Sequence, residues 1–176
     1  MRDGGLRNDR RETDTEHSFH LAMAAWYLSG FFPKYNQELL LKFALAHDLV
    51  EIHAGDVMAI GRTDEQQSKK DQDEEKALIQ IKNDWPDFAD MTKTIERYES
   101  QQDPEAVFVK ALDKIMPILH QLLTKGKTWK HWDMHRDEVI TQKDKKTAPS
   151  AEVNRIWKDL RKIIFEHDEY FNPGKV

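Results

Sequence analysis

Asp103-Pro104-Glu105-Ala106-Val107-Phe108-Val109-Lys110-Ala111-Leu112-Asp113-Lys114-Ile115-Met116-Pro117-Ile118-Leu119-His120-Gln121-Leu122 is the stretch that decides the fold. Asp103 offers a carboxylate to the free amides of a helix start, and Pro104 stands where no intrahelical donor is needed. Val107, Phe108, Ala111, Leu112, Ile115, Leu119 and Leu122 recur at three-to-four spacing, which predicts a long, central helix. Pro117 removes a donor and crowds the preceding turn, which predicts a kink, and Gly126 marks the exit. Asp113 lies between Leu112 and Ile115, in the most apolar long helix of the chain. Pairing with Lys110 or Lys114 stands level there with a metal-ligand role.

Working outward, the same period recurs on both sides. Thr13 and Glu16 have capping-box spacing and start a helix near Asp14 that runs to about Gly30, with Leu21, Ala24, Ala25 and Leu28 continuing a face begun by His17. A second helix is predicted from Gln37 to about Ile52. A polar loop follows over Ile60 to Ser68, then a charged helix from about Lys70 to Trp85 and a fourth over Phe88 to Tyr98. Downstream, the polar stretch from Lys143 to Thr147 separates the central region from a last helix over Pro149 to Glu169. No alternating strand pattern, repeat or linker interrupts the series, so the expected architecture is all-α, a single domain over residues 1–176.

Composition narrows the chemistry. The chain has no cysteine, which removes disulfides, thiolate nucleophiles and thiolate metal sites together. A formal net charge of -5, from 27 Lys plus Arg against 32 Asp plus Glu, argues against a broad nucleic-acid surface. The apolar stretch from Leu21 to Phe32 is too short and too mixed to span a bilayer, and no secretory leader precedes it, so a cytoplasmic protein without a membrane partner is expected. Trp26, Tyr27, Phe31 and Phe32 fit either a partner face or core packing. Trp129 and Trp132 beside Lys127, Lys130 and His131 fit hydrophobic packing better than base stacking.

The run His47-Asp48-Leu49-Val50-Glu51-Ile52-His53-Ala54-Gly55-Asp56 gathers two imidazoles and three carboxylates near a helix end. On a helix, His47 and Asp48 point about 100° apart and can share an ion lying between their two directions. Glu51 returns to the same side, four residues after His47. Each residue alone has an ordinary reading: His47 and His17 as core histidines, Asp48 and Asp56 as caps, Glu51 as a surface charge. His47-Asp48 nevertheless follows Phe43-Ala44-Leu45-Ala46, where a buried charge needs compensation that a cation provides.

Taken together, Arg10-Arg11-Glu12-Thr13-Asp14-Thr15-Glu16-His17-Ser18-Phe19-His20-Leu21-Ala22, the His47-Asp48 to Gly55-Asp56 stretch, and Lys110-Ala111-Leu112-Asp113-Lys114-Ile115 resemble the HD-domain metal-dependent phosphohydrolases, in the branch that includes bacterial 5'-deoxynucleotidases. The resemblance covers essentially the whole chain. It implies a bundle of five or more helices, a homodimer, and one divalent ion (Mn, Co, Mg, Zn or Ni) held by His17, His47, Asp48 and Asp113. It implies hydrolysis of a nucleoside 5'-monophosphate to nucleoside and phosphate, with Glu51 and Asp56 near the reaction.

Arg10 matches the arginine of the branch's first motif as a phosphate contact, and Arg2 stands at the separation of a second one. Asp3 follows Arg2 where some relatives carry a sugar-facing tryptophan, which puts deoxyribose selectivity in question. The family usually has a helix before this arginine-rich segment, so the N-terminus reads as shortened. A cyclic nucleotide, a nucleoside triphosphate or a guanosine polyphosphate are the alternative substrates. A noncatalytic nucleotide-binding protein with a structural ion is the alternative of another class.

Overall fold

In the computed structural model, residues 12–54 and 64–173 are described, and their regular structure is helical. The helices are α1 (Asp14–Ser29), α2 (Gln37–Ala46), α3 (Glu51–Ala54), α4 (Asp64–Asp84), α5 (Ala89–Ser100), α6 (Pro104–Leu123), α7 (Lys127–His131), α8 (Arg136–Thr147) and α9 (Ala151–Phe165), followed by a 3-10 turn at Asp168–Tyr170. None of them is long and apolar enough to cross a membrane. The chain divides into two compact units, with the boundary between Ala106 and Val107 near the start of α6.

In the first unit α1 packs on α2, α2 on α5, α5 on α4 and α4 on α3. Leu21 and Ala25 of α1 and Leu40, Phe43 and Ala44 of α2 are completely buried. A second cluster joins Ala46, Val50, Ala77, Ile81 and Ile95, with Leu49, Leu78 and Met91 against it. The start of α2 is pinned from two directions. Asn36 Oδ1 accepts from the Leu39 amide at 3.2 Å, while the Asn36 amide donates to buried Glu105 at 2.7 Å.

The helix predicted over Gln37 to Ile52 is broken. Regular α-helix ends at Ala46, His47 is its C-cap in right-handed helical geometry, and α3 begins only at Glu51. Between them the amides of Leu49, Glu51 and Ile52 bond three residues back, to Ala46, Asp48 and Leu49. This tightened turn carries Val50 into the second cluster, a burial that a straight helix does not have to provide. The loop expected up to Ser68 is also corrected. Helix is present from Asp64, over a Glu- and Gln-rich run whose straight side chains favour it even without an apolar face.

In the second unit α8 packs on α9, and the 3-10 turn packs on α7 and α9. Val153, Trp157 and Ile164 of α9 are fully buried, and Trp157 Nε1 donates to Asp144 of α8 at 2.7 Å. Asp144 also accepts from Arg161 at 3.0 Å, so one carboxylate ties the two helices together. The polar separator expected over Lys143 to Thr147 is the second half of α8. Its buried positions Val139, Ile140 and Thr147 lie on one face, but only two of them are hydrophobic, which leaves too thin a pattern to read from sequence. The last helix is shorter than expected. Ser150 caps it, its hydroxyl accepting from the Val153 amide, and it ends at Phe165.

Candidate metal centre

His17 sits one turn before Leu21 on the core face of α1 and is 1% exposed. His47 follows Leu40, Phe43 and Ala44 at helical spacing, which aims it into the same α1–α2 packing, and it is 5% exposed. The two rings lie 5.4 Å apart between centroids, tilted by 47°. Asp48, next along the tightened turn, brings an Oδ2 atom to 3.0 Å from His47 Nε2. One ligand atom from each of His17, His47 and Asp48 lies within 4.8 Å of the others. Three donors, one from α1 and two from the turn that follows α2, thus converge.

The hydrogen bonding of His47 decides what this cluster can accept. His47 Nδ1 lies 2.8 Å from the Ala44 carbonyl oxygen, which only accepts, so Nδ1 carries a proton and donates it there. In the neutral ring Nε2 then presents its lone pair, and that lone pair faces a carboxylate oxygen at 3.0 Å. Two lone pairs at this distance repel, and a cation shared between them reverses the sign. The pattern of an Nδ1–H anchored on a backbone carbonyl with Nε2 turned to the ion is how histidine ligands are oriented. Nitrogen and oxygen donors of this kind fit a borderline or hard divalent ion.

Tyr98 of α5 was not singled out by sequence reasoning, yet it closes the site from behind. It is buried and meets the His47 ring edge-on at 6.3 Å, and it also lies 6.0 Å from Phe43. Its only signal was its place one turn after buried Thr94 and Ile95 on an otherwise polar helix.

The remaining predicted residues fall in different places. Glu51 opens α3, half-buried, three residues after Asp48. Asp113 belongs to the second unit, on α6, where it is 4% exposed and pairs with Lys114 at 2.5 Å. That contact is with one of the two lysines named beside it in the sequence. Asp56, Arg10 and Arg2 lie outside the described residues.

Lys143 of α8, unremarked in the sequence, shares the surroundings of Asp113. Burial lowers its pKa from 10.5 to about 8, helped by the like charges of Lys114 and Lys146 and opposed by Asp113. Between those two values the unfolded chain binds more protons than the folded one, so stability rises with pH across this window. Below about 8 the cost of the enclosed charge is present in full. Lys143→Met is accordingly expected to raise the melting temperature at neutral pH, with a gain that shrinks as pH climbs from about 8 toward 10.5. Thermal melts across that range check it, and a pH-independent gain contradicts it.

Known proteins resemble this chain in sequence and fold. Residues 1–157 match the HD domain family. The chain is 31% identical over 114 residues to the 5'-deoxynucleotidase HDDC2 of Homo sapiens, covering 62% of this chain and 53% of the relative. The Mus musculus protein of the same name is 30% identical over 115 residues, covering 63% and 55%. The chain thus spans about half the length of the curated relatives it matches. Its fold matches the crystal structure of a predicted metal-dependent phosphohydrolase from Magnetospirillum magnetotacticum with a TM-score of 0.74 and 28% identity, over 96% of this chain and 85% of that one. An all-α fold, a His-His-Asp cluster on α1 and the turn after α2, and a family match over residues 1–157 together establish that the chain belongs to the HD-domain phosphohydrolase family.

Proposed function

We propose that the protein is a divalent-metal-dependent phosphohydrolase acting on (deoxy)nucleoside 5'-monophosphates, releasing nucleoside and inorganic phosphate. The observation that carries this reading is the buried convergence of His17, His47 and Asp48, with Nδ1 of His47 anchored so that Nε2 faces the carboxylate. A divalent ion held there supplies Lewis acidity to a phosphoryl oxygen and acidifies water. The names carried by the curated relatives support the substrate class. Asp113 enters this proposal as a fourth ligand on the family resemblance alone.

The side chains divide the remaining work. Imidazole ligands add no negative charge, so a divalent ion held by His17 and His47 would keep enough positive character to attract a phosphate. Glu51, three residues after Asp48 at the start of α3, takes the proton of the attacking water in this proposal. Asp56 assists the leaving oxygen, which needs a proton as the P–O bond breaks. Arg10 and Arg2 hold the phosphate by charge and directed N–H groups. The metal is one of Mn, Co, Mg, Zn and Ni.

Incubating the purified protein, loaded in turn with each of these ions, with a panel of nucleoside mono-, tri-, cyclic and guanosine polyphosphates tests the proposal. The expected result is phosphate release highest from a 5'-monophosphate. Turnover confined to another member of the panel overturns the substrate, and tight nucleotide binding without turnover under any ion overturns the enzyme.

A further inference from the structure

A single hydrogen bond to the Ala44 carbonyl, 2.8 Å from Nδ1, orients the ring of His47. The torsion that turns an imidazole about its Cβ–Cγ bond is broad, so this contact by itself leaves the ring plane loosely set. His47 also stands where the regular turns of α2 end, as the C-cap after Ala46. The direction of the Nε2 lone pair depends on that plane. His17 and Asp48 give no independent reference for it, because both are donors to the same ion.

Tyr98 supplies a fixed one. Its ring meets the His47 ring at 6.3 Å between centroids and 79°, and the Phe43 ring at 6.0 Å and 46°. Phe43 and His47 are one helical turn apart, so one aromatic side chain spans from the regular part of α2 to its cap. Tyr98 is 4% exposed and is itself held. Its carbonyl accepts from the Gln101 amide at 3.1 Å and from Gln101 Nε2 at 2.6 Å, which closes the end of α5. Gln101 adopts a left-handed backbone there, φ +52°, in a region unfavourable to residues with a Cβ. Beside it, Arg97 lies over the Phe43 ring at 5.8 Å and donates to Asp103 from Nε at 3.1 Å and Nη2 at 2.7 Å.

We propose that Tyr98 is a positioning residue for the metal centre: its ring, packed edge-on against His47, fixes the plane of that imidazole and so sets how tightly the cluster of His17, His47 and Asp48 holds a divalent ion. This inference rests on reading the cluster as a metal site. Tyr98 acts through His47 and touches neither ion nor substrate. An edge-to-face contact suits the task, because the quadrupoles of two rings favour a steep tilt over a flat stack. An aliphatic side chain fills similar space and favours no angle. The ring carries the effect, and the hydroxyl is not required for it.

Calorimetric titration of the chelator-stripped full chain with Co2+, in the absence of any nucleotide, tests the proposal. Tyr98→Leu is expected to weaken ion binding by about 10-fold, the lower range for loss of a group that orients a metal ligand. Tyr98→Met, equally without a ring, is expected to repeat the loss. Tyr98→Phe keeps the ring and is expected to bind as the wild type does. The visible absorption bands of bound Co2+ report ligand geometry, and they are expected to change in Tyr98→Leu and to return in Tyr98→Phe. Val153→Ala, at a fully buried position of α9, is expected to lower the melting temperature of the ion-free chain and to leave affinity and bands unaltered. That separates lost orientation from lost stability.

Wild-type affinity and bands in Tyr98→Leu overturn the positioning role and leave the metal centre standing. A loss in Tyr98→Phe equal to that in Tyr98→Leu assigns the effect to the hydroxyl and overturns the role of the ring. An equal loss in Val153→Ala overturns it too, since stability alone then accounts for the change. A wild-type chain that binds no divalent ion overturns the metal centre itself, and the positioning role with it.

Discussion

Asp48→Asn is expected to lower phosphate release by the metal-loaded protein by at least about 100-fold, the upper range for perturbing groups that merely support a metal ligand. Asparagine keeps the shape of the side chain and removes its charge, so packing around His17 and His47 is preserved while the carboxylate facing Nε2 at 3.0 Å is lost. The neutral amide gives a divalent ion a weaker donor and no charge compensation. Metal addition stabilises a folded protein by RT ln(1 + c/Kd) at free ion concentration c, so a weaker site gains less at the same ion concentration. The same ion concentration is therefore expected to raise the melting temperature of the wild type and to leave that of the variant nearly unchanged. Unaltered turnover together with an unaltered metal-induced shift would remove Asp48 from the centre, whatever the substrate proves to be.

The second large effect is structural. Gly126 precedes α7 with φ at +69°, a left-handed conformation that costs a non-glycine residue about 1–2 kcal/mol. A Cβ there falls 2.0 Å from the Tyr170 carbonyl oxygen, 2.7 Å from Tyr170 Cβ and 2.8 Å from its carbonyl carbon. The obstacle is mostly backbone, so a rotamer change does not relieve it, and the 3-10 turn must move away from α7. Moving it disturbs the stacked pair of Trp129 and Phe171, whose ring centroids are 4.8 Å apart and nearly parallel. Overpacking of this kind adds about 1–3 kcal/mol. Gly126→Ala is thus expected to cost about 3 kcal/mol or more, lowering the melting temperature by roughly 10 °C for a chain of this size. A melt within about 2 °C of wild type would show that the turn yields freely.

These two sites differ in how far the sequence announced them. Gly126 was visible as a helix exit, but its close approach to Tyr170 joins residues far apart in the chain, and no local pattern encodes it. His47-Asp48 was visible as a pair, and its apolar approach through Phe43 and Ala44 marked it as buried. The break at Ala46 was not visible, because the apolar period of Leu41 and Leu45 continues to Leu49, and Val50 leaves the ladder only to enter a cluster with Ile81 and Ile95. Asp113 shows the opposite case: its pairing with Lys114 is a neighbour contact and was readable as one of two alternatives.

By itself the sequence determined that α1, α2, α5, α6 and α9 exist, since capping residues, proline at a first turn and a three-to-four apolar period act through local backbone hydrogen bonding and one-sided burial. It determined the donor chemistry too, since a chain without cysteine offers only nitrogen and oxygen. The tertiary structure alone decided that His17 and His47 meet, because they stand thirty positions apart in the chain and only the packing of α1 on α2 closes that distance. It alone decided which nitrogen of His47 is presented, through the Ala44 carbonyl. And it alone decided that Trp26, Tyr27 and Phe31 face outward: a helix apolar all round carries no preference of its own, and the neighbour that takes one face leaves the other exposed.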